Sequence, residues 1–345
     1  MSVNPLEYTS SQFVDTLFCQ VGRGKEQVMA VYRSLFRTGS ISSSLPEFAN
    51  APKLQEEILD ALDLSLYSVV TTIEKRETLR FLIETPDNHK IESVLIPMNH
   101  GCTICISSQI GCKMGCSFCR TAKLGLIRNL TVSEIIQQVF IARFVLKKEV
   151  NNVVFMGMGE PLDNYDAVLQ AVNILSDQNG LAIGPRHITI STSGIPSAFH
   201  RLANMEEFHA NLTLSLNAPN NALRERLMPS QGPESLEELH RAIRLYCTKK
   251  RKQIYISYVL IKGVNDSLSH ADELCSFLQG IETKINLIPF NTHDKSHFRP
   301  PEPEQIEAFM QRIRFHGMKA LLRSEKGGAI QAACGQLAAT NQAPL

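Results

Sequence analysis

The sequence predicts an α/β fold: a partial β/α barrel of six strand–helix units, preceded by a small helical domain. Three observations predict it. From Glu92 onward, short β-rich apolar runs give way to helix-periodic runs, again and again. Apolar strands joined through helices imply parallel pairing with right-handed crossovers, and six units fall short of the eight that close a barrel. Before Glu92 the pattern is helical instead. Finally, the polar, glycine-rich and cysteine-rich segments all follow the apolar runs, where a β/α fold gathers its working loops.

In order, "GKEQVMAVYRSLF" and "PKLQEEILDALDL" space their apolar residues as helices do, with a Ser-rich loop at Thr38–Ser44. Residues 1–85 are therefore expected to form a helical accessory domain. "ESVLIPM" is expected to be the strand before the cysteine loop, followed by "TVSEIIQQVFIARFVLKK", a helix opened by a Thr131/Glu134 capping box. The strand–helix pairs that follow are "NNVVFMGMG" with "YDAVLQAVNIL", "HITISTSG" with "PSAFHRLANM", and "NLTLSLNAP" with "SLEELHRAIRLYC". "QIYISYVLIKG" then precedes "SHADELCSFL", "KINLIPFN" precedes "EPEQIEAFMQRIRFHG", and "KALLRSE" is the last strand.

A chain of 345 residues can bury one large core beside a small accessory domain. With 43% apolar and 20% charged residues and a formal charge of +1 it is no polybasic nucleic-acid binder, so any RNA contact must come from a local patch. No run approaches the roughly 18 apolar residues of a membrane span, and no basic-then-apolar leader opens the sequence. Nine cysteines, an odd number without a secretory signal, argue for reduced thiols that react or bind metal. A cytoplasmic monomer is expected.

Five of those cysteines lie between Cys102 and Cys119, in and just ahead of "CISSQIGCKMGCSFC". Cys19, Cys247 and Cys275 sit in helix-like stretches and read as small buried hydrophobes. That reading fails for Cys112, Cys116 and Cys119, which stand among Lys, Gly and Ser in a segment without periodicity. A zinc site could draw on Cys102, Cys105, Cys116 and Cys119, leaving Cys112 idle and making the chain an RNA-binding module without catalysis. The third reading is an iron–sulfur cluster held by Cys112, Cys116 and Cys119 alone. Cube clusters usually take four thiolates, so three imply one iron open to a substrate or cofactor.

The Cys-x3-Cys-x2-Cys loop after the first strand of a partial barrel resembles the radical S-adenosylmethionine (SAM) enzymes. That resemblance implies a four-iron four-sulfur cluster (4Fe-4S) on Cys112, Cys116 and Cys119, and S-adenosyl-L-methionine as second cofactor. It makes residues 98–329 a radical SAM core and places Gly159 and Glu160 of "GMGEP" at the methionine amino group. A radical SAM activase or maturase would share these features. The match is closer still: "CISSQIGCKMGCSFC", "GMGEPLDN", "STSGIPSA", "SLNAPN", "KGVND", "NLIPFN" and "AACGQL" together resemble the RlmN/Cfr family of RNA adenosine methyltransferases.

What that family implies is specific. An aromatic C–H carbon of adenine has no lone pair with which to attack a methyl sulfonium, so the methyl is first parked on a protein thiolate, a strong nucleophile. The resemblance gives this role to Cys334, within a C-terminal segment 330–345. It gives Cys105 the release of the protein–RNA adduct through a transient disulfide with Cys334, and Glu92 the acceptance of the adenine proton. An activase would not need Cys334. Cys102 has no role in the scheme. The resemblance also puts Ser191, Ser215, Leu216, Asn217 and Asn291 at SAM. Two positions depart from the family pattern: Asn217 stands where His is usual, and Ala329 where Asp is usual. Implied partners are large-subunit rRNA and tRNA as substrates, a flavodoxin-type electron donor and a thiol reductant, with no membrane. Carbon 2 of adenine is favoured over carbon 8. For RNA contact the sequence offers Lys113, Arg120, Lys123 and Arg128 near the cysteines and the basic run Lys249–Lys252, the latter equally readable as a helix C-terminal charge cluster.

Overall fold

The computed structural model describes residues 2–75, 77–98, 101–229, 235–293, 296–323 and 335–337. Its N-terminal helices are α1 (Ser10–Val21), α2 (Lys25–Thr38) and α3 (Pro52–Asp60). Strands β1 (Ser68–Lys75), β2 (Thr78–Glu84), β3 (Lys90–Met98) and β4 (Gly101–Cys105) follow as an antiparallel meander. The helical character expected up to about Ile83 thus ends at Asp60. The reason is visible in "SVVTTIEK" and "TLRFLIE": five consecutive β-branched residues whose exposure alternates in the first, and a run buried on both faces, Arg80 included, in the second.

A second difference concerns the strand before the cysteine loop. "ESVLIPM" forms β3 but runs antiparallel, and "GCTIC" (β4) is the strand that enters the barrel, pairing parallel with β7 (Asn152–Phe155). A hairpin places Gly101 opposite Met98 with Gly101 at φ +88°, a left-handed turn conformation open to glycine. Shifting the first barrel strand by one hairpin leaves the number of units unchanged. β4, β7, β8 (Ile188–Thr192), β9 (Asn211–Ser215), β10 (Ile254–Leu260) and β11 (Thr283–Pro289) each lead into a helix, and β12 (Lys319–Leu322) ends the sheet.

The sheet order is β1-β2-β3-β4-β7-β8-β9-β10-β11-β12, parallel from β4 on; among the described residues β12 has no partner beyond β11, so no barrel closes. A separate two-stranded ladder joins β5 (Gln109–Gly111) to β6 (Leu126–Asn129) and brackets the cysteine loop. The barrel helices are α4 (Val132–Phe140, continuing as a π turn), α5 (Tyr165–Ser176), α6 (Pro196–Asn204), α7 (Asn221–Leu227), α8 (Leu236–Lys250), α9 (Leu268–Phe277) and α10 (Pro303–Phe315). The capping box forms as expected: the Thr131 hydroxyl accepts from Glu134 N, and Thr131 N donates to the Glu134 carboxylate. α7 has no counterpart in the sequence reading.

One apolar cluster runs from Phe13, Leu17, Tyr32 and Phe36 of the N-terminal helices through Phe140 to Ile190, Leu214 and Ile256 in the barrel strands. The N-terminal helices are therefore packed into the barrel core. Phe36 meets Phe140 edge-on at 6.1 Å, and Ser10 N donates to the Asp177 carboxylate at 2.5 Å. No described helix is long and apolar enough to cross a membrane.

Candidate functional site

The C-terminal ends of the parallel strands enclose a cavity of about 170 Å³. It is lined by Cys112, Cys116, Cys119, Gly159, Glu160, Ser191, Ser215, Asn217 and Asn291, nine of the residues singled out in the sequence. The cysteine loop is held by its backbone. Ile106 N donates to Val154 O and Ser108 N to Met158 O, which lays the loop along the end of β7. Cys112 N donates to Gly125 O at 2.8 Å, Ser117 N to Leu227 O of α7 at 2.9 Å, and Arg120 N to Gly335 O at 2.8 Å. Side chains add to these main-chain anchors, Ser117 Oγ donating to Leu227 O at 3.3 Å and Thr121 Oγ1 to Leu337 O at 2.6 Å.

Gly159 owes its identity first to packing. At φ +105° a side chain there is strained, and a Cβ would sit 2.6 Å from the Gln109 side chain and 2.8 Å from its backbone nitrogen. Close approach of the "GMGEP" loop to the cysteine loop requires glycine. Glu160 is buried and tied inward: its carboxylate accepts from Ser193 N at 2.7 Å and from Leu162 N at 3.0 Å. Burial pushes its carboxyl above the usual range, against the pull of these hydrogen bonds. Glu160 thereby pins the loop after β7 to the loop after β8.

Ser191 and Ser215 share a hydrogen bond at 3.1 Å on neighbouring strands. Asn217 has φ +56°, a left-handed conformation that Asn tolerates better than most residues. Its side-chain oxygen accepts from Val259 N at 3.0 Å, and its Nδ2 donates to Ser215 O at 3.3 Å. The amide where the family usually has His thus fastens β9 to β10. Leu216, by contrast, is not at the cavity. Its side chain is fully buried in the main core, and its carbonyl accepts from Arg224 Nη1 at 3.0 Å.

Burial pushes the Cys112 thiol up to about 12, with the neighbouring Cys119 adding to the effect, and raises Cys116 well above the ordinary thiol range. Uncompensated thiolates are disfavoured here, so a positively charged soft-metal group is what would deprotonate them. No three His, Cys, Asp or Glu side chains among the described residues close on a single ion. The three cysteines surround a shared space instead, which suits a multi-atom cluster. The zinc arrangement is not formed: Cys102 and Cys105 are three residues apart on β4, hence on opposite faces, and they belong to different apolar clusters.

Neither Cys105 nor Glu92 lines the cavity. Val94 is the register partner of Cys105, and Glu92, two residues along β3, projects from the same face as Val94. Cys105 packs with Val94, Met158 and Leu337, and Leu337 also lines the cavity. Glu92 is neither at a strand edge nor solvated; it is fully buried and ion-paired with Arg80 at 2.6 Å. Cys334 and Ala329 lie outside the described residues.

The Radical SAM superfamily profile matches residues 106–275. A crystallised radical SAM methyltransferase from Sphaerobacter thermophilus superposes with a TM-score of 0.89 at 34% identity, covering 99% of this chain and 100% of that one. The chain is 47% identical to "Probable dual-specificity RNA methyltransferase RlmN 1" of Protochlamydia amoebophila, over 97% of this chain and 94% of the relative. It is 38% identical to "Dual-specificity RNA methyltransferase RlmN" of Nitratiruptor, over 89% and 91%. The chain belongs to the RlmN family. Membership of the radical SAM superfamily implies a 4Fe-4S cluster and SAM, and the donor set fits: three soft ligands around one cavity, with polar strand ends beside them.

Within this RlmN-family site, several residues were missed by sequence reading. Ser257 also lines the cavity, opposite Ser215 in the β9–β10 register. It is the polar exception in the run "IYISYVL", a signal that could have found it. Arg224 is buried, its guanidinium donating to Ser193 O at 2.6 Å and Leu216 O at 3.0 Å. Burial lowers it to about 10, with Cys116 and Glu160 opposing the shift. Nothing in "NALRERL" separates this inward arginine from exposed Arg226. Arg323 stands at the cavity mouth.

The basic patch needs revision. Arg120 is buried, Lys113 pairs with Asp163 at 2.6 Å, and Arg128 forks between Asp87 at 2.7 Å and Glu134 at 2.8 Å. Lys249 donates to Asn204 Oδ1 and Lys252 to His209 O, both at 2.6 Å, and Lys250 donates to Met205 O. That run precedes β10, at the end of the sheet opposite the cavity, and fastens α8 to the end of α6 and the start of β9.

Proposed function

We propose that this RlmN-family enzyme methylates carbon 2 of an adenosine in large-subunit rRNA, and in tRNA as a second substrate, through a methyl carried on Cys334. The observation that carries the reading is the convergence of two segments. "CTIC" brings Cys105 into the same apolar cluster as Leu337, three residues after Cys334, and Gly335 lines the cavity beside Cys119.

When bound, the cluster and SAM supply an electron and a 5′-deoxyadenosyl radical. The chain's own residues supply the rest. The thiolates of Cys112, Cys116 and Cys119 hold the cluster; Gly159, Ser191, Ser215 and Asn291 orient SAM, and Glu160 fixes the loop that carries Gly159. The Cys334 thiolate takes the sulfonium methyl of one SAM, which leaves as S-adenosylhomocysteine; that methyl then loses a hydrogen atom to the radical, its carbon bonds to the adenine carbon, and the adduct's odd electron returns to the cluster. The family pattern gives the adenine proton to Glu92, which must exchange its Arg80 pairing for access to the cavity to take it. The Cys105 thiolate then displaces the product from the Cys334 sulfur, forming a disulfide whose two electrons a cellular thiol reductant restores. A flavodoxin-type protein is the expected electron donor. A base must leave its stack to reach such a cavity, at a few kcal/mol, so loops and bulges are the expected targets.

The test separates the two thiols. Purified, cluster-loaded Cys105→Ala should carry nuclease-resistant RNA that stays bound in denaturant, and Cys334→Ala and the double variant should carry none. If both cysteines only fill space, each truncation costs about 1 kcal/mol and neither variant carries RNA. Mass spectrometry of nucleosides from a deletion strain fixes the target: loss of 2-methyladenosine supports carbon 2, and an unchanged pattern refutes the substrate.

A further inference from the structure

We propose that Arg323 grips an RNA phosphate at the mouth of the cavity. The inference rests on the RNA reading above and assigns its backbone contact. Of the basic groups expected to meet RNA, Lys113 and Arg128 are tied up in ion pairs, Arg120 is buried, and Lys249–Lys252 fastens helices at the far end of the sheet. Lys123 is exposed but does not line the cavity.

Arg323 differs from all of these. Its backbone nitrogen donates to Leu287 O at 2.9 Å, carrying the β11–β12 pairing one residue past the ladder, so the main chain is fixed where the barrel opens. Its side chain is exposed and lines the cavity. Among the described residues the guanidinium meets only Met156 Sδ, at 4.0 Å, a weak acceptor at the end of β7. Among the described residues the other donors of this planar fork meet no acceptor at the rim, the arrangement that suits a bidentate phosphate contact. A nucleotide whose base has left its stack keeps its phosphate outside the cavity the base enters. The rim is where that charge arrives.

The experiment uses the full, cluster-loaded chain and a labelled RNA stem–loop with an unpaired adenosine. Binding is measured across a salt series for wild type, Arg323→Gln and Arg323→Lys, and SAM affinity is measured without RNA. Losing one phosphate contact on unpaired RNA should flatten the dependence of log Kd on log salt by about 0.7 for Arg323→Gln. Arg323→Lys keeps the charge and should keep most of the slope. An unchanged slope for Arg323→Gln overturns the assignment. So does a fall in SAM affinity with the slope intact, which would make Arg323 a cofactor ligand. Wild type that binds no RNA overturns the substrate reading and this inference together.

Discussion

Two fully buried carboxylates anchor different regions of this molecule, and they are held in opposite ways. In the antiparallel wing, Glu92 meets the guanidinium of Arg80 at 2.6 Å with both side chains out of water. At the rim of the parallel strands, Glu160 has no ion pair among the described residues and is held by peptide N–H groups of Ser193 and Leu162. An ion pair neutralises a charge without fixing its surroundings, whereas peptide donors fix the loops that carry them. The wing thus stores a compensated charge behind the site, and the rim uses a carboxylate as a knot between two loops that line it.

The largest effect is expected at the cysteines, beside the loop that Glu160 holds. Cys112→Ala, Cys116→Ala and Cys119→Ala should each abolish the cluster and all methylation while the chain stays folded, because the loop is anchored by main-chain bonds and the core lies elsewhere. Iron content, visible absorbance and circular dichroism read this out. A variant with full iron and normal activity would refute the ligand set. Next, Arg80→Met removes the ion-pair partner of buried Glu92 and should cost about 3–5 kcal/mol in urea unfolding. A cost below about 1 kcal/mol would mean that water reaches Glu92.

A smaller effect belongs to Glu160. Replacing it with Gln keeps the shape but exchanges one acceptor for a donor, at about 1–3 kcal/mol. The pH dependence sharpens this. Its folded-state carboxyl is raised above the ordinary value of 4.5, so the native state binds more protons than the unfolded one in that window. The contribution of Glu160 to stability is therefore present below that ordinary value and declines as pH rises through the folded-state value. The difference between wild type and Glu160→Gln should shrink with rising pH, and a difference that grows would invert the assignment. Least of all, Lys249→Gln should change stability by under about 1 kcal/mol and leave RNA binding untouched, since its amine serves an amide at the far end of the sheet.

The parallel half of the fold was legible because its strands are apolar runs closed by polar or glycine residues, and their order along the chain is their order in the sheet. The cysteine loop was legible from its spacing. β1 and β2 were not, since a two-sided buried strand such as "TLRFLIE" resembles a helix segment unless its β-branched neighbour is weighed with it. The site's inner supports were hidden for another reason. Arg224 and the Glu92–Arg80 pair act through burial, and burial depends on which elements meet, which local pattern does not encode. The amide of Asn217 was expected at the cofactor as a replacement for His; its bonds to β9 and β10 come from a left-handed backbone that sequence shows only as a slight preference.

Because Phe13, Tyr32 and Phe36 share one core with Phe140 and the barrel strands, the N-terminal helices form a fixed jig with the cavity. A jig does not close on its workpiece. Under the RNA reading proposed above, the cost of exposing the target base then falls mainly on the RNA.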